Sequence, residues 1–167
     1  MSVSYEKPLS PGARAEFLSR YLDQLSLLER LHRLMLDVVK DEFERLGITN
    51  INPVQGLLLF NIGTAEVNAG ELKSRGYYQG SNVSYNLKKL VDEGFMSHQR
   101  CPMDRRAVRV RLTARGMAIH DQIKALFDRQ AGLMSEEGVL DFTALDANVR
   151  QLRRLERFWG DQIRYIY

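Results

Sequence analysis

The chain has 167 residues, 44% of them hydrophobic and 27% charged, which predicts one soluble globular domain with an extended accessory part and excludes collagen-like and low-complexity classes. Its formal net charge is +3, but the stretch from Lys73 to Arg115 holds ten basic residues against three acidic ones. A basic centre between acidic flanks is the electrostatic footprint of a polyanion partner, although a solvated charged face has the same composition.

Residues 1–12 end in Pro-Leu-Ser-Pro-Gly without periodicity, which predicts a mobile arm. From Arg14 to Leu46 apolar residues recur at helical spacing, with Phe17, Leu18, Tyr21, Leu25, Leu28, Met35, Val39 and Phe43 in one series. Gly47 stands where a C-cap belongs. At 1.5 Å per residue such a helix is about 50 Å long, longer than a small domain is wide, so its far end calls for a second subunit. Asn52-Pro53-Val54-Gln55 combines an N-cap, a proline at N1 and a capping box. The helix it opens runs to Gly63, is apolar nearly all round, and is predicted to be buried. Asn68-Ala69-Gly70-Glu71 reads as a second capping box, opening a short helix that stops near Gly76. After the turn Gly76 to Gly80, Ser81 is the expected cap of a helix ending before Gly94, with Val83, Leu87 and Leu90 inward.

Two strands follow, Phe95 to Arg100 and Ala107 to Leu112. In the second, Val108, Val110 and Leu112 alternate with Ala107, Arg109 and Arg111. Thr113 is placed to cap a helix to about Leu133, and a last helix is expected from near Thr143. The longest apolar run, Leu57 to Phe60, is far short of the roughly 18 residues a membrane span needs. The N-terminus has no apolar core of a signal peptide. One cysteine, Cys101, excludes an internal disulfide and fits a reducing cytoplasm. The three histidines are too scattered for a metal signature. No nucleophile elbow, phosphate-binding glycine loop or zinc-protease motif is present, so no catalytic residues, metal or cofactor are assigned.

Helix, short helix, turn, helix and a basic two-stranded ribbon make a winged helix-turn-helix. The fold class is therefore mainly α with a small β wing. The expected boundaries are 48–113 for the winged core, with 13–47 and 114–167 as a helical dimerisation region. Asp104-Arg105-Arg106, five residues, Leu112-Thr113, two residues and Gly116 fill every fixed position of the wing signature D-x-R-x5-L-T-x2-G. With Asn82-Val83-Ser84, Leu87, Leu90 and Gly94, they make the chain similar to the MarR family of bacterial transcriptional regulators across Ile51 to Gly116. A narrower resemblance, to the LdtR-like alphaproteobacterial branch, runs from Gly76 to Leu87.

The resemblance implies a homodimeric repressor that binds double-stranded DNA at a pseudo-palindromic operator and is released by a small aromatic effector or a stress signal. The DNA-facing residues it implies are Gln79, Ser81, Asn82, Ser84, Tyr85, Lys88, Lys89, Arg105, Arg106 and Arg109. The chemistry agrees. Asn82 and Ser84 are short hydrogen-bonding side chains in the first turn, where recognition helices touch base edges. Lys88 and Lys89 suit phosphates, and free N–H groups near Ser81 suit an anion. Family members often carry arginine at the position of Tyr85, so a bidentate guanine contact is not expected there. Arg105 and Arg106 suit a narrow minor groove, with Asp104 bracing one of them.

Val39, Leu57 and Phe60 could line an effector cleft; plain core packing explains them equally well. Cys101 beside Arg100 and Arg105 is a candidate redox sensor, although it lacks a resolving partner. A protein-interaction module and a non-specific architectural DNA binder remain the alternative functions.

Overall fold

The computed structural model describes residues 10–65, 67–68, 80–100 and 108–166, with the backbone alone at 67–68, 80–84, 99–100, 108 and 164–166. The fold is mainly helical with one small antiparallel sheet. Helix α1 spans Pro11–Arg45 and α2 Pro53–Ile62. Strand β1 is Val67–Asn68. Helix α3 spans Gly80–Asp92, strands β2 and β3 are Met96–Arg100 and Val108–Leu112, and helices α4 and α5 are Ala114–Glu136 and Phe142–Ile166. The chain divides into two compact units at His120 and Asp121.

In the first unit, α1 starts three residues before the position expected from periodicity. The Ser10 side chain accepts the Ala13 N–H at 3.4 Å, and Pro11 occupies the first helical position. Residues 10–12 therefore belong to the helix and its cap, not to an arm. The hydroxyl and the proline supply the start signals that apolar periodicity, blind to polar caps, does not register. At the other end Gly47 adopts φ +68°. That left-handed turn lets the Gly47 and Ile48 N–H groups reach the carbonyls of Glu44 and Phe43 at 3.1 and 2.8 Å.

Only the last turns of α1 are buried, through Val39, Glu42 and Phe43, and they pack on α2. Glu42 brings a carboxylate into this contact. Arg45 holds it with two hydrogen bonds of 2.8 and 2.7 Å, which raises the Arg45 pKa above its usual value. Leu57, Leu58, Leu59 and Ile62 of α2 are all buried, so the apolar run is the centre of this unit, as predicted.

The sheet has three strands in the order β1-β3-β2. Met96 pairs with Leu112, His98 with Val110 and Arg100 with Val108. Val67 and Asn68 pair with Val110 and Arg109, a strand the sequence reading lacks, because two residues carry no alternation to detect. Asn68, expected as the N-cap of a short helix, is thus strand-paired; the rest of that expected helix lies outside the described residues. Helix α3 already includes Gly80, so Ser81 sits inside its first turn and is not its cap. First-turn residues need no intrahelical partner for their N–H, so a glycine enters there at little cost.

Helix α4 continues to Glu136, and Ile119, Ile123 and Leu126 on it are buried. In the second unit α5 begins at Phe142. Its cap is Asp141, whose carboxylate accepts the Ala144 N–H at 2.8 Å and whose carbonyl accepts the Leu145 N–H at 3.0 Å, so Thr143 lies inside the first turn. No helix among the described residues is long and apolar enough to cross a membrane.

Candidate nucleic-acid interface

Helix α3 has two faces. Leu87 and Leu90 are buried, whereas Tyr85 is 67% exposed and Lys88 is exposed. Ser81, Asn82 and Ser84 lie in its first two turns, where the unpaired N–H groups and the helix dipole favour negative charge. Lys89 is half-buried and has an acidic neighbour. Its Nζ is 3.8 Å from Glu93 one turn on, a contact too exposed to contribute much stability.

Three devices hold this helix. The first is at its middle. The Gln55 side chain, 1% exposed, accepts the Asn52 N–H through Oε1 at 3.1 Å and donates from Nε2 to Asn86 Oδ1 at 3.2 Å. The capping box of α2 thus doubles as a tether to α3. The second is at the C-terminal end, where Gly94 adopts φ +78° and passes the Phe95 N–H back to the Leu90 carbonyl at 2.9 Å. The third is the start of α4. Thr113 donates its hydroxyl to the Gly94 and Phe95 carbonyls at 2.7 and 3.0 Å and accepts the Gly116 N–H at 3.2 Å. Its own N–H reaches the Phe95 carbonyl at 3.0 Å.

Arg115 completes this knot. It donates to the Glu93 carbonyl at 2.7 Å and lies 4.2 Å from the centre of the Phe95 ring, a cation–π arrangement. Gly116 is obligatory by contact. A β-carbon there would stand 2.1 Å from the Phe95 carbonyl oxygen. The Leu-Thr-x2-Gly half of the wing signature is therefore the joint that fixes the end of α3 and the base of the wing to one point of α4.

Beyond that joint β2 and β3 run out as the wing. Arg109 and Arg111 are exposed while Val110 between them is buried, as the alternation predicts. Arg111 donates to Ser97 Oγ across the strand pair at 3.3 Å. Arg109 faces Gln99 on one side and Asn68 on the other in register, so it stands on the central strand of three, not on one leg of a free hairpin. Gln79, Arg105, Arg106 and the redox candidate Cys101 lie outside the described residues.

The effector candidates do not gather at an open surface. Val39 and Leu57 are 0% and 4% exposed, which is core packing. Phe60 is half-buried, its ring 5.5 Å from that of His120 in a stacked arrangement. No group of metal-ligating side chains occurs among the described residues.

Sequence reasoning missed the Gln55–Asn86 tether and the Arg115 anchor. Gln55 was visible as a cap and Arg115 as a charge. The fixed Thr113 and Gly116 positions of the motif were the available signal for the joint.

Comparison with known proteins agrees with this geometry. Residues 51–116 match a family profile described as a winged helix DNA-binding domain. The chain is 33% identical over 160 residues to the exopolysaccharide II synthesis transcriptional activator ExpG of Rhizobium meliloti, covering 96% of this chain and 82% of that one. In fold it is similar to the transcriptional regulator SlyA, at 16% identity and TM-score 0.69 over 87% of this chain and 99% of that structure. It is also similar to a MarR variant from E. coli complexed with operator DNA, at 20% identity and TM-score 0.63 over 81% and 95%. FabT of Streptococcus pneumoniae in complex with DNA matches at 22% identity and TM-score 0.58 over 85% and 99%. With an α3 that turns its polar face outward, a wing joint built from the signature residues and a relative named as a transcriptional activator that matches over almost the whole of this chain, the chain belongs to a family of winged-helix transcriptional regulators and has the fold of the MarR regulators.

Proposed function

We propose that this regulator acts as a homodimer on a pseudo-palindromic operator, placing α3 of each subunit in the major groove and each wing along the flanking backbone or minor groove. The observation that carries the reading is the outward face of α3. Tyr85 and Lys88 stand free on a helix whose opposite face and C-terminal end are fixed. A helix held this way can present side chains to base edges without losing order on binding. The dimerisation region would be 13–47 with 114–167, as the exposed apolar residues of α1 and α5 support. Two of the similar structures are described as complexes with DNA.

Repression by occlusion of a promoter follows where the operator overlaps it. The Rhizobium meliloti relative carries the name of an activator, so the sign of regulation is set by operator position. Release by a small aromatic effector requires that the ligand bind one dimer conformation better than the other. Of the three candidate residues only Phe60 has the exposure to meet such a ligand.

The test is selection of duplexes from a randomised pool by the full-length protein, followed by anisotropy titration of the selected duplex against increasing salt. A sharp palindromic consensus with a steep log–log salt slope is expected. A steep slope with no consensus would identify an architectural binder. Absence of binding would leave the protein-interaction alternative.

A further inference from the structure

The apolar contacts of α3 fix which face points inward, but they fix its rotation loosely. Leu87 and Leu90 are buried, and hydrophobic burial is non-directional. A rotation of about 20° at a side-chain radius of about 5 Å would move a tip by roughly 2 Å, enough to break a hydrogen bond to a base edge. The joint at Gly94, Thr113 and Arg115 holds the C-terminal end of α3; a directional contact at its middle is needed to hold the angle along its length. A side-chain hydrogen bond from Gln55 Nε2 to Asn86 Oδ1, between residues 31 apart in sequence, joins α2 to α3.

Its geometry is over-determined on the α2 side. The Asn52 N–H can only donate, so it holds Oε1 of Gln55; Nε2 must then face α3. Burial to 1% exposure keeps water from replacing either bond. The Gln55 backbone N–H is itself tied to Asn52 Oδ1 at 2.9 Å, so backbone and side chain of the residue are both held by hydrogen bonds. Asn86 is therefore obliged to turn its oxygen toward α2. Its neighbour in the chain is Tyr85 and its next exposed neighbour is Lys88, both on the outward face.

We infer that Gln55, a core residue that touches no DNA, is a specificity-determining positioning residue, setting through Asn86 the rotation at which α3 meets the base edges. The inference rests on the DNA-binding reading above. It predicts a division of effects. Loss of the tether changes which duplex is preferred, and by how much, more than it changes affinity for DNA in general. Phosphate contacts tolerate a small rotation and base-edge contacts do not.

The experiment repeats the duplex selection with the full-length protein and three variants, Gln55→Met, Asn86→Ala and Asn86→Asp. For each, affinity is measured for the wild-type consensus duplex, for single-base-pair variants of it and for a scrambled duplex, with thermal melts alongside. Asn86→Ala keeps a strong helix former in α3 and serves where Gln55→Met fails to fold. Asn86→Asp keeps an acceptor facing Gln55 Nε2. The expected result is a 3- to 10-fold loss of discrimination, or a shifted consensus, for Gln55→Met and Asn86→Ala, with an unchanged salt slope on the scrambled duplex and with discrimination restored in Asn86→Asp. A uniform fall in affinity for every duplex, following the fall in folded fraction, would make the tether merely structural and overturn the inference. So would folded variants with the wild-type consensus and ratio. If the wild-type protein itself enriches no sequence, the sequence-specific reading fails and this one with it.

Discussion

At Gly116 the backbone of α4 passes so close to Phe95 that a β-carbon would sit 2.1 Å from its carbonyl oxygen. That oxygen already accepts the Thr113 hydroxyl and N–H, so it cannot retreat without breaking both. Gly116→Ala is expected to cost about 1–3 kcal/mol or more, as overpacking at an unyielding neighbour does. Thr113→Val, equal in shape, should cost about 1–2 kcal/mol by removing a helix cap. Urea unfolding of the two variants checks both figures, and equality with the wild-type midpoint would contradict the joint described here. The motif that contains these residues is legible in the sequence as a pattern of fixed letters. Its reason is not, because the partner atoms are backbone carbonyls some twenty residues away. Gln55 makes the same point: its bond to Asn52 is local and readable, whereas its bond to Asn86 depends on how two helices cross.

Helices and strands were readable where local chemistry decides them. The α2 capping box, the Gly47 and Gly94 ends and the alternation in β3 all involve residues within one turn or one pleat. The start of α1 and strand β1 were not read. The first lies outside the apolar periodicity, and the second exists only through pairing with Val110 and Arg109. On the recognition helix and wing, two substitutions should separate positioning from base reading. Arg106→Ala should weaken binding to all duplexes alike and lower the log–log salt slope by about 0.9, the share of one phosphate contact. Asn82→Ala should leave the slope nearly unchanged and reduce discrimination between the selected duplex and its point variants by about 1–3 kcal/mol. Anisotropy on matched and scrambled duplexes distinguishes the two patterns. If neither variant alters binding, α3 and the wing are not the DNA surface.

For the whole molecule, the exposed apolar side chains are what the proposed homodimer has to cover. On α1, Phe17, Leu18, Leu22, Leu31 and Leu34 are exposed, and on α5 so are Phe142, Phe158, Trp159 and Ile163. Exposed apolar side chains grouped on one element are a mark of an interface. The 35 residues of α1 extend about 52 Å, and its buried residues are confined to Val39, Glu42 and Phe43 near one end. Pairing each of these helices with a second copy of the chain would cover their apolar residues. A two-fold axis would set the two α3 helices about 34 Å apart, one turn of DNA. Each subunit then raises the effective concentration of the other's half-site, which contributes a factor of about 10²–10⁴ in affinity. Removal of residues 158–167 strips Phe158, Trp159 and Ile163 from this face. The truncated protein should sediment as a monomer at low micromolar concentration, where the full chain sediments as a dimer. Its affinity for a full palindrome should fall to that for a single half-site. A full-length protein that sediments as a folded monomer and still holds the full palindrome tightly would show that the apolar faces of α1 and α5 serve something other than a second copy of this chain.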